Sequence, residues 1–302
     1  MTKVKLLHNP AAGDEGHGKD ELLSLIGSLG FDCRYASIKK KDWKEFENDL
    51  NFVIVAGGDG TIKKIAKQLL KRKVLEKTFP IALLPLGTAN NIGKTLGITG
   101  DKEGIIASWK NAQVKNYDIG RIYNIEEAPF FLESFGYGVF PYLMQEIKNA
   151  DKNLLDTPEK KKQTALELLH KIILAYEPKQ CKLELDGTDH SGKFILAEIM
   201  NIKSIGPNLI LSPEGDVGDG KFEVVIVDES DKEKFASYVL NKINGREEPY
   251  SFNTIKAKEV KISWDGTHVH ADDKIIKLAK SVEVTISIQQ GLLEFLVPQK
   301  HL

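Results

Sequence analysis

The chain has 302 residues, 41% of them hydrophobic, and a formal net charge of −1. That length points to about two domains with real cores, and the near-zero charge excludes a general electrostatic attraction to nucleic acid. Two isolated cysteines, Cys33 and Cys181, exclude a disulfide framework or a zinc-finger spacing and fit a reducing, cytoplasmic setting.

The N-terminus reads straight into a strand at residues 4–8, without a signal peptide, and no apolar run is long enough to cross a bilayer. The strand ends in the turn Asn9-Pro10-Ala11-Ala12-Gly13. Leu22, Leu25, Ile26 and Leu29 give a helical stripe that Gly30 stops. A second strand follows at residues 31–36, and residues 43–50 suit a short helix.

Residues 52–56 are short, continuous and rich in β-branched side chains, as expected of a strand buried on both faces of a parallel sheet. Gly57-Gly58-Asp59-Gly60-Thr61 comes next, and Ile62, Ile65, Ala66 and Leu69 then start a helix. Glycine lets another group approach the backbone, and the free N–H groups of a helix start favour an anion. The local reading is a phosphate cradle with Asp59 at its centre. It is not the dinucleotide fingerprint, whose third glycine would fall on Lys63. Nor is it a Walker A loop, because Gly93-Lys94-Thr95 has Thr88 where that motif needs glycine. A fourth strand at residues 81–84 enters Pro85-Leu86-Gly87-Thr88-Ala89-Asn90-Asn91. Strands alternating with helices predict a parallel sheet, with ligands beyond the carboxyl ends of its strands.

From Tyr117 the segments become β-like, at residues 130–135, 181–186, 194–200, 222–227, 260–264, 267–271, 282–288 and 292–297. Asp265-Gly266 signals a two-residue hairpin, and the second domain reads as a mostly antiparallel β-sandwich. One helix is expected within it, with Ala165, Leu168, Leu169, Ile172, Ile173 and Tyr176 as its apolar stripe. Its flanking Lys160, Lys161, Lys162, Lys171 and Lys179 suit a solvated face or an anionic lipid surface. The polar stretch before it, residues 148–159, reads as a loop. His268 and His270 share one side of a strand, read as a solvated sheet face, with a metal site including Asp272 as the rival.

The motif order Asn9 to Gly13, Gly57 to Thr61, Pro85 to Asn90 and Asp118-Ile119-Gly120 resembles the diacylglycerol kinase catalytic family. That group includes bacterial soluble lipid kinases and sphingosine kinases, with NAD kinases as distant relatives. The likeness continues through residues 131–138, Asn201, Pro213 and Asp219-Gly220. It implies a nucleotide-binding α/β domain over residues 1–116, joined by the tail 291–302, and a β-sandwich lipid domain over 117–290, with ATP in the cleft between them. By resemblance, Asn9, Gly13, Gly57, Gly58, Gly60, Thr61, Gly87, Thr88 and Asn90 hold the nucleotide. Asp59 sits by the phosphates or their Mg²⁺, Asp118 joins a polar network at the domain interface, and Asp219 matches an Asp-Gly element associated with a structural Mg²⁺.

Two positions depart from the family pattern. Asn90-Asn91 stands where the family usually has Asn-Asp, and Asp272-Asp273-Lys274 stands where it carries Asp-Gly-Glu with the glutamate as general base. An ammonium cannot accept a proton, so Asp272 and Asp273 become the candidate bases. Asp265-Gly266-Thr267 is a second register for the same element. The expected function is an ATP- and Mg²⁺-dependent kinase for a lipid hydroxyl such as that of diacylglycerol, reached peripherally at the inner membrane surface, with a homodimer left open. A nucleotide or lipid sensor without catalysis, and a kinase for a soluble alcohol such as NAD, stand as alternatives.

Overall fold

The computed structural model describes residues 1–13, 17–72, 76–150 and 157–299. The chain forms two compact units, one of residues 1–117 with 290–302, the other of residues 118–289.

In the first unit the strands are β1 (Thr2–His8), β2 (Phe31–Ser37), β3 (Phe52–Gly57), β4 (Ile81–Pro85) and the start of β5 (Gln113–Tyr123). The helices are α1 (Lys19–Ser28), α2 (Asp59–Leu69), α3 (Asn91–Thr95) and α4 (Lys102–Ser108). Strand β1 lies between β2 and β3, β4 lies beside β3, and all these pairs are parallel. All of β3 is buried, because helices cover both faces of such a sheet. Helix α2 buries Ile62, Ile65 and Ala66, the stripe that its sequence spacing sets on one face.

The helix expected over residues 43–50 is absent apart from a 3₁₀ turn at Asp42–Lys44. Its backbone carbonyls are taken by lysines instead. Lys5 Nζ donates to the Glu45 carbonyl, and Lys77 Nζ donates to those of Asn48 and Leu50. Of these oxygens, that of Glu45 is one an i+4 ladder over 43–50 would have used.

The second unit continues through β6 (Phe130–Phe131), β7 (Ser134–Gly138), β8 (Lys179–Leu185), β9 (Thr188–Asp189), β10 (Gly192–Met200), β11 (Ser204–Ile205) and β12 (Leu209–Ile210). It then adds β13 (Phe222–Asp228), β14 (Asn253–Ala257), β15 (Glu259–Trp264), β16 (His268–Ala271), β17 (Lys274–Lys277) and the start of β18 (Val284–Val297). The pairings of β10 with β7, β8 and β13, of β13 with β14, and of β15 with β8 and β18 are antiparallel.

Among its described residues this unit holds three α-helices rather than the single one expected: α5 (Val139–Asn149), α6 (Pro158–Ala175) and α7 (Lys232–Ile243). They explain why β10 and β13 are apolar on both faces. Val224 and Ile226 join the aromatic interior around Phe131, Phe135, Tyr137 and Trp264. Val225 and Val227 point the other way and pack with Leu166, Leu169, Ile173, Phe235 and Val239 of the helices. The apolar stripe of α6 is thus largely core. The loop expected at residues 148–159 lies partly outside the described residues.

Three strand expectations also change. The hairpin is not at Asp265-Gly266, because β15 already has β8 and β18 on its two edges. Strand β16 pairs instead with β7 and β17, and the two-residue turn is Asp272-Asp273, with Ala271 opposite Lys274. The strand expected over 130–135 breaks at Leu132 and Glu133, whose N–H groups turn to the Asp272 carboxylate. The segments at 282–288 and 292–297 are one strand, β18, carried past Gly291 at φ +59°. Near its end, Phe295 and Leu296 pair with β4, within the first unit.

Candidate functional site

In the first unit, β1, β3 and β4 end side by side, with His8 opposite Ala56 and Gly57 opposite Pro85. The three turns that follow are therefore neighbours at one sheet edge. Asn9 N donates to the Ala56 carbonyl at 2.9 Å, and Asn9 Nδ2 donates to Thr61 Oγ1 at 3.0 Å. Gly57 and Gly13 are fixed by close approach. A Cβ on Gly57 would lie 2.6 Å from Thr61 Oγ1, and one on Gly13, at φ +68°, would lie 2.5 Å from the Leu86 carbonyl oxygen. Gly58 and Gly87 approach just as closely, since a Cβ on Gly87 would fall 2.5 Å from Gly58 Cα.

Asp59 opens α2, and its side chain reaches the next motif. Its Oδ2 accepts from Asn91 N at 2.9 Å, and its Oδ1 accepts from Ile92 N at 3.1 Å. These are the first N–H groups of α3, where a carboxylate also meets the positive end of the helix dipole. Asn90 takes a left-handed φ of 52° and closes its own turn, with Gly87 N donating to its Oδ1 at 2.9 Å and its Nδ2 donating to the Gly87 carbonyl at 2.7 Å. Helix α2 starts at Gly58 without a side-chain cap, and Gly60 and Thr88 are exposed beside it. An uncapped helix start beside close-packed glycine backbone suits phosphate oxygens.

The remaining candidates belong to the second unit. Asp118 is buried, and its Oδ2 accepts from Gly220 N at 2.8 Å, so the structure joins it to the Asp219-Gly220 turn. Asn201 Nδ2 donates to the carbonyls of Asp118 at 2.8 Å and Leu132 at 3.0 Å. Leu132, Glu133 and Ser134 in turn donate their backbone N–H groups to Asp272. Asp272 is thus the acceptor that shapes a bend, which is a different task from taking a substrate proton. Asp273 is exposed on the same turn, and Lys274 Nζ donates to the Glu127 carbonyl at 2.8 Å.

His270 does not lie on a solvated face. It is buried, with Nδ1 3.0 Å from the Asp272 carbonyl and Nε2 3.0 Å from the Glu198 carboxylate, itself wholly buried. Both ring nitrogens face oxygen acceptors, which an imidazolium satisfies. Burial, the largest single influence, pulls its pKa down, but Glu198 and Asp272 together pull it up and the net shift is upward. Gly136 leaves the room, since a Cβ there would overlap the Glu198 carboxylate. Sequence reasoning missed Glu198, although a lone charge inside Phe194-Ile195-Leu196-Ala197-Glu198-Ile199-Met200 is a signal for a buried partner. His268 packs its ring against Tyr142, with centroids 6.2 Å apart. Among the described residues no three His, Cys, Asp or Glu side chains group closely enough to hold a metal ion.

Residues 3–122 match the diacylglycerol kinase catalytic domain model, and residues 148–285 match the YegS C-terminal NAD kinase beta sandwich-like domain. The diacylglycerol kinase of Bacillus subtilis (strain 168) is 24% identical over 262 residues, covering 81% of this chain and 80% of that one. A diacylglycerol kinase crystal structure from Bacillus anthracis str. Sterne superposes with a TM-score of 0.72 at 20% identity, covering 99% of this chain and 97% of its own. An NAD kinase from Archaeoglobus fulgidus in complex with ATP has a TM-score of 0.54 at 12% identity, over 99% of this chain and 95% of its own. The two family models thus match successive parts of the chain, and the chain carries the two-domain fold that these diacylglycerol kinase and NAD kinase structures share.

Proposed function

We propose that the protein transfers the γ-phosphoryl group of ATP to the hydroxyl of a lipid such as diacylglycerol. The observation that carries this reading is the lock between Asp59 and the Asn91 and Ile92 N–H groups, which makes one site out of two turns. Phosphoryl transfer depends mainly on positioning and on charge neutralisation, and backbone N–H groups supply both. Gly57, Gly58, Gly60 and Thr61, with Gly87, Thr88 and Asn90, would face the phosphates, and Asn9 and Gly13 would border the nucleotide. Mg²⁺, bound with ATP, would neutralise charge on the β- and γ-phosphates. In the reaction the lipid oxygen bonds to Pγ, the bond from Pγ to the β–γ bridging oxygen breaks, and ADP leaves with that electron pair. The hydroxyl proton passes to a carboxylate, for which Asp273, exposed on its turn, is better placed than the buried Asp272. Asp118 is a positioning residue in this scheme, through the turn it holds.

No helix among the described residues is long and apolar enough to cross a membrane, so the lipid would be reached at a membrane surface. The lysine-flanked start of α6 suits that contact. A second reading, nucleotide or lipid binding without turnover, is favoured by Lys274, whose ammonium sits on the Glu127 carbonyl where the family has its base.

The test is transfer of radiolabelled γ-phosphate from ATP with Mg²⁺ to diacylglycerol, ceramide, sphingosine or NAD, with Asp59→Ala alongside. A lipid product that the variant fails to make supports the kinase. ATP binding with no product on any acceptor favours the binding role, and a product from NAD alone moves the reading to a soluble acceptor.

A further inference from the structure

The turn Asp216-Val217-Gly218-Asp219-Gly220 runs into β13 and carries the residue that the family resemblance makes a Mg²⁺ ligand, Asp219. The donors around it do not suit a divalent ion. Asp219 Oδ1 accepts from Lys221 N at 3.0 Å, and its Oδ2 accepts from Lys256 Nζ at 2.9 Å. Beside it, Asp216 Oδ1 accepts from Gly218 N and Asp118 Oδ2 accepts from Gly220 N. Mg²⁺ requires a near-octahedral set of oxygens, and the Asp219 carboxylate already carries an ammonium that repels it, while the Asp216 and Asp118 carboxylates accept from backbone N–H groups of the turn.

Lys256 is placed by something other than this turn. The antiparallel register of β13 and β14 sets it directly opposite Glu223. Glu223 is 1% exposed, and Lys256 Nζ lies 3.3 Å from its Oε1, a charge contact rather than a directed hydrogen bond. A buried carboxylate is costly without a counter-charge. One ammonium therefore meets two carboxylates from two segments, and strand pairing holds it there.

We propose that Lys256 is the resident cation of this turn and does the work that a divalent ion would otherwise do, tying Asp219 to the start of β13. The fold of the turn is then independent of Mg²⁺, and any Mg²⁺ requirement of the protein comes from the nucleotide. The Lys256 side chain is half-exposed, so added metal has free access to compete with it.

The experiment uses the full chain without nucleotide. Mn²⁺ binding is followed by electron paramagnetic resonance, and thermal unfolding is followed in EDTA and in Mg²⁺, for the wild type, Asp219→Asn, Lys256→Met and the double variant. The wild type should show no Mn²⁺ site that Asp219→Asn removes, and the same Tm in EDTA and Mg²⁺. Lys256→Met should lower Tm in EDTA by about 2–4 °C. Mg²⁺ should restore that Tm, and the double variant should lose the restoration. An Asp219-dependent Mn²⁺ site in the wild type overturns the proposal. So does a fall in Lys256→Met that Mg²⁺ leaves unchanged, since Lys256 would then not hold a metal's place. If Lys256→Met fails to fold, Lys256→Gln takes its part, and the wild-type Mn²⁺ result decides by itself.

Discussion

The Asp59 carboxylate accepts from Asn91 N at 2.9 Å and so ties together two turns that are 32 residues apart in the chain. The contact gives Asp59 two duties, since a change there releases α3 as well as altering the edge where phosphates would bind. Asp59→Ala should abolish phosphoryl transfer, weaken ATP binding at least tenfold and lower stability by about 2–4 kcal/mol, the scale of two charge-assisted hydrogen bonds. Isothermal calorimetry with ATP and a denaturation curve separate the two effects. Normal ATP affinity in a fully folded variant counts against the site.

Gly87→Ala tests the close approach of the turns. The new Cβ would sit 2.5 Å from Gly58 Cα, so one loop must move. The expected cost is about 1–3 kcal/mol, with a clear loss of ATP affinity. Thr88→Ala, at an exposed neighbour, should leave stability within about 0.5 kcal/mol. Equal effects on stability from the two variants would remove the steric argument.

Glu198→Gln removes the anion facing His270. Breaking a buried pair costs about 3–5 kcal/mol. The folded-state pKa of His270 is raised, so the pair's contribution is complete below the ordinary value of 6.5 and is lost as pH rises through the folded value. Melting temperature against pH should therefore fall across that window in the wild type, and this part of the slope should vanish in Glu198→Gln. A slope that persists unchanged would mean the pair does not titrate in this way.

Glu223 adds a second slope of the same sign. Burial pushes its carboxyl up from 4.5 to about 7, even though Lys256 pulls it down. The folded state then holds the proton more tightly, and stability is lost as pH rises from 4.5 through 7. Glu223→Gln should flatten the curve there while leaving the His270 component in place. Lys256→Met should steepen it.

Much of the first unit was legible along the chain. Continuous apolar runs at β1, β3 and β4, each ended by a glycine-bearing turn, predict a parallel sheet with its polar turns at one edge, and those turns do meet there. Residues 43–50 misled because their apolar spacing suits a helix. Lys5 and Lys77, distant in sequence, instead anchor the segment through its Glu45, Asn48 and Leu50 carbonyls. In the second unit the strand-rich composition hides α5 and α7, although β10 and β13, which carry apolar residues on both faces, already require cover on each side.

What the sequence by itself determined was the set of local decisions: which runs become strands, where glycine permits a close turn, and which motifs stand in which order. These depend on neighbours within a few residues, where periodicity and turn chemistry act. Only the tertiary structure decided which carboxylate meets which donor. Asp272 looks like a base in sequence and is an anchor for three backbone N–H groups in space. Glu198 and His270 look unrelated and form a buried pair, and Lys256 finds Asp219 only because β14 registers against β13. The physical reason is range. A buried charge must be neutralised by whatever the fold brings within about 3 Å, and no local pattern in the chain carries that partner's position.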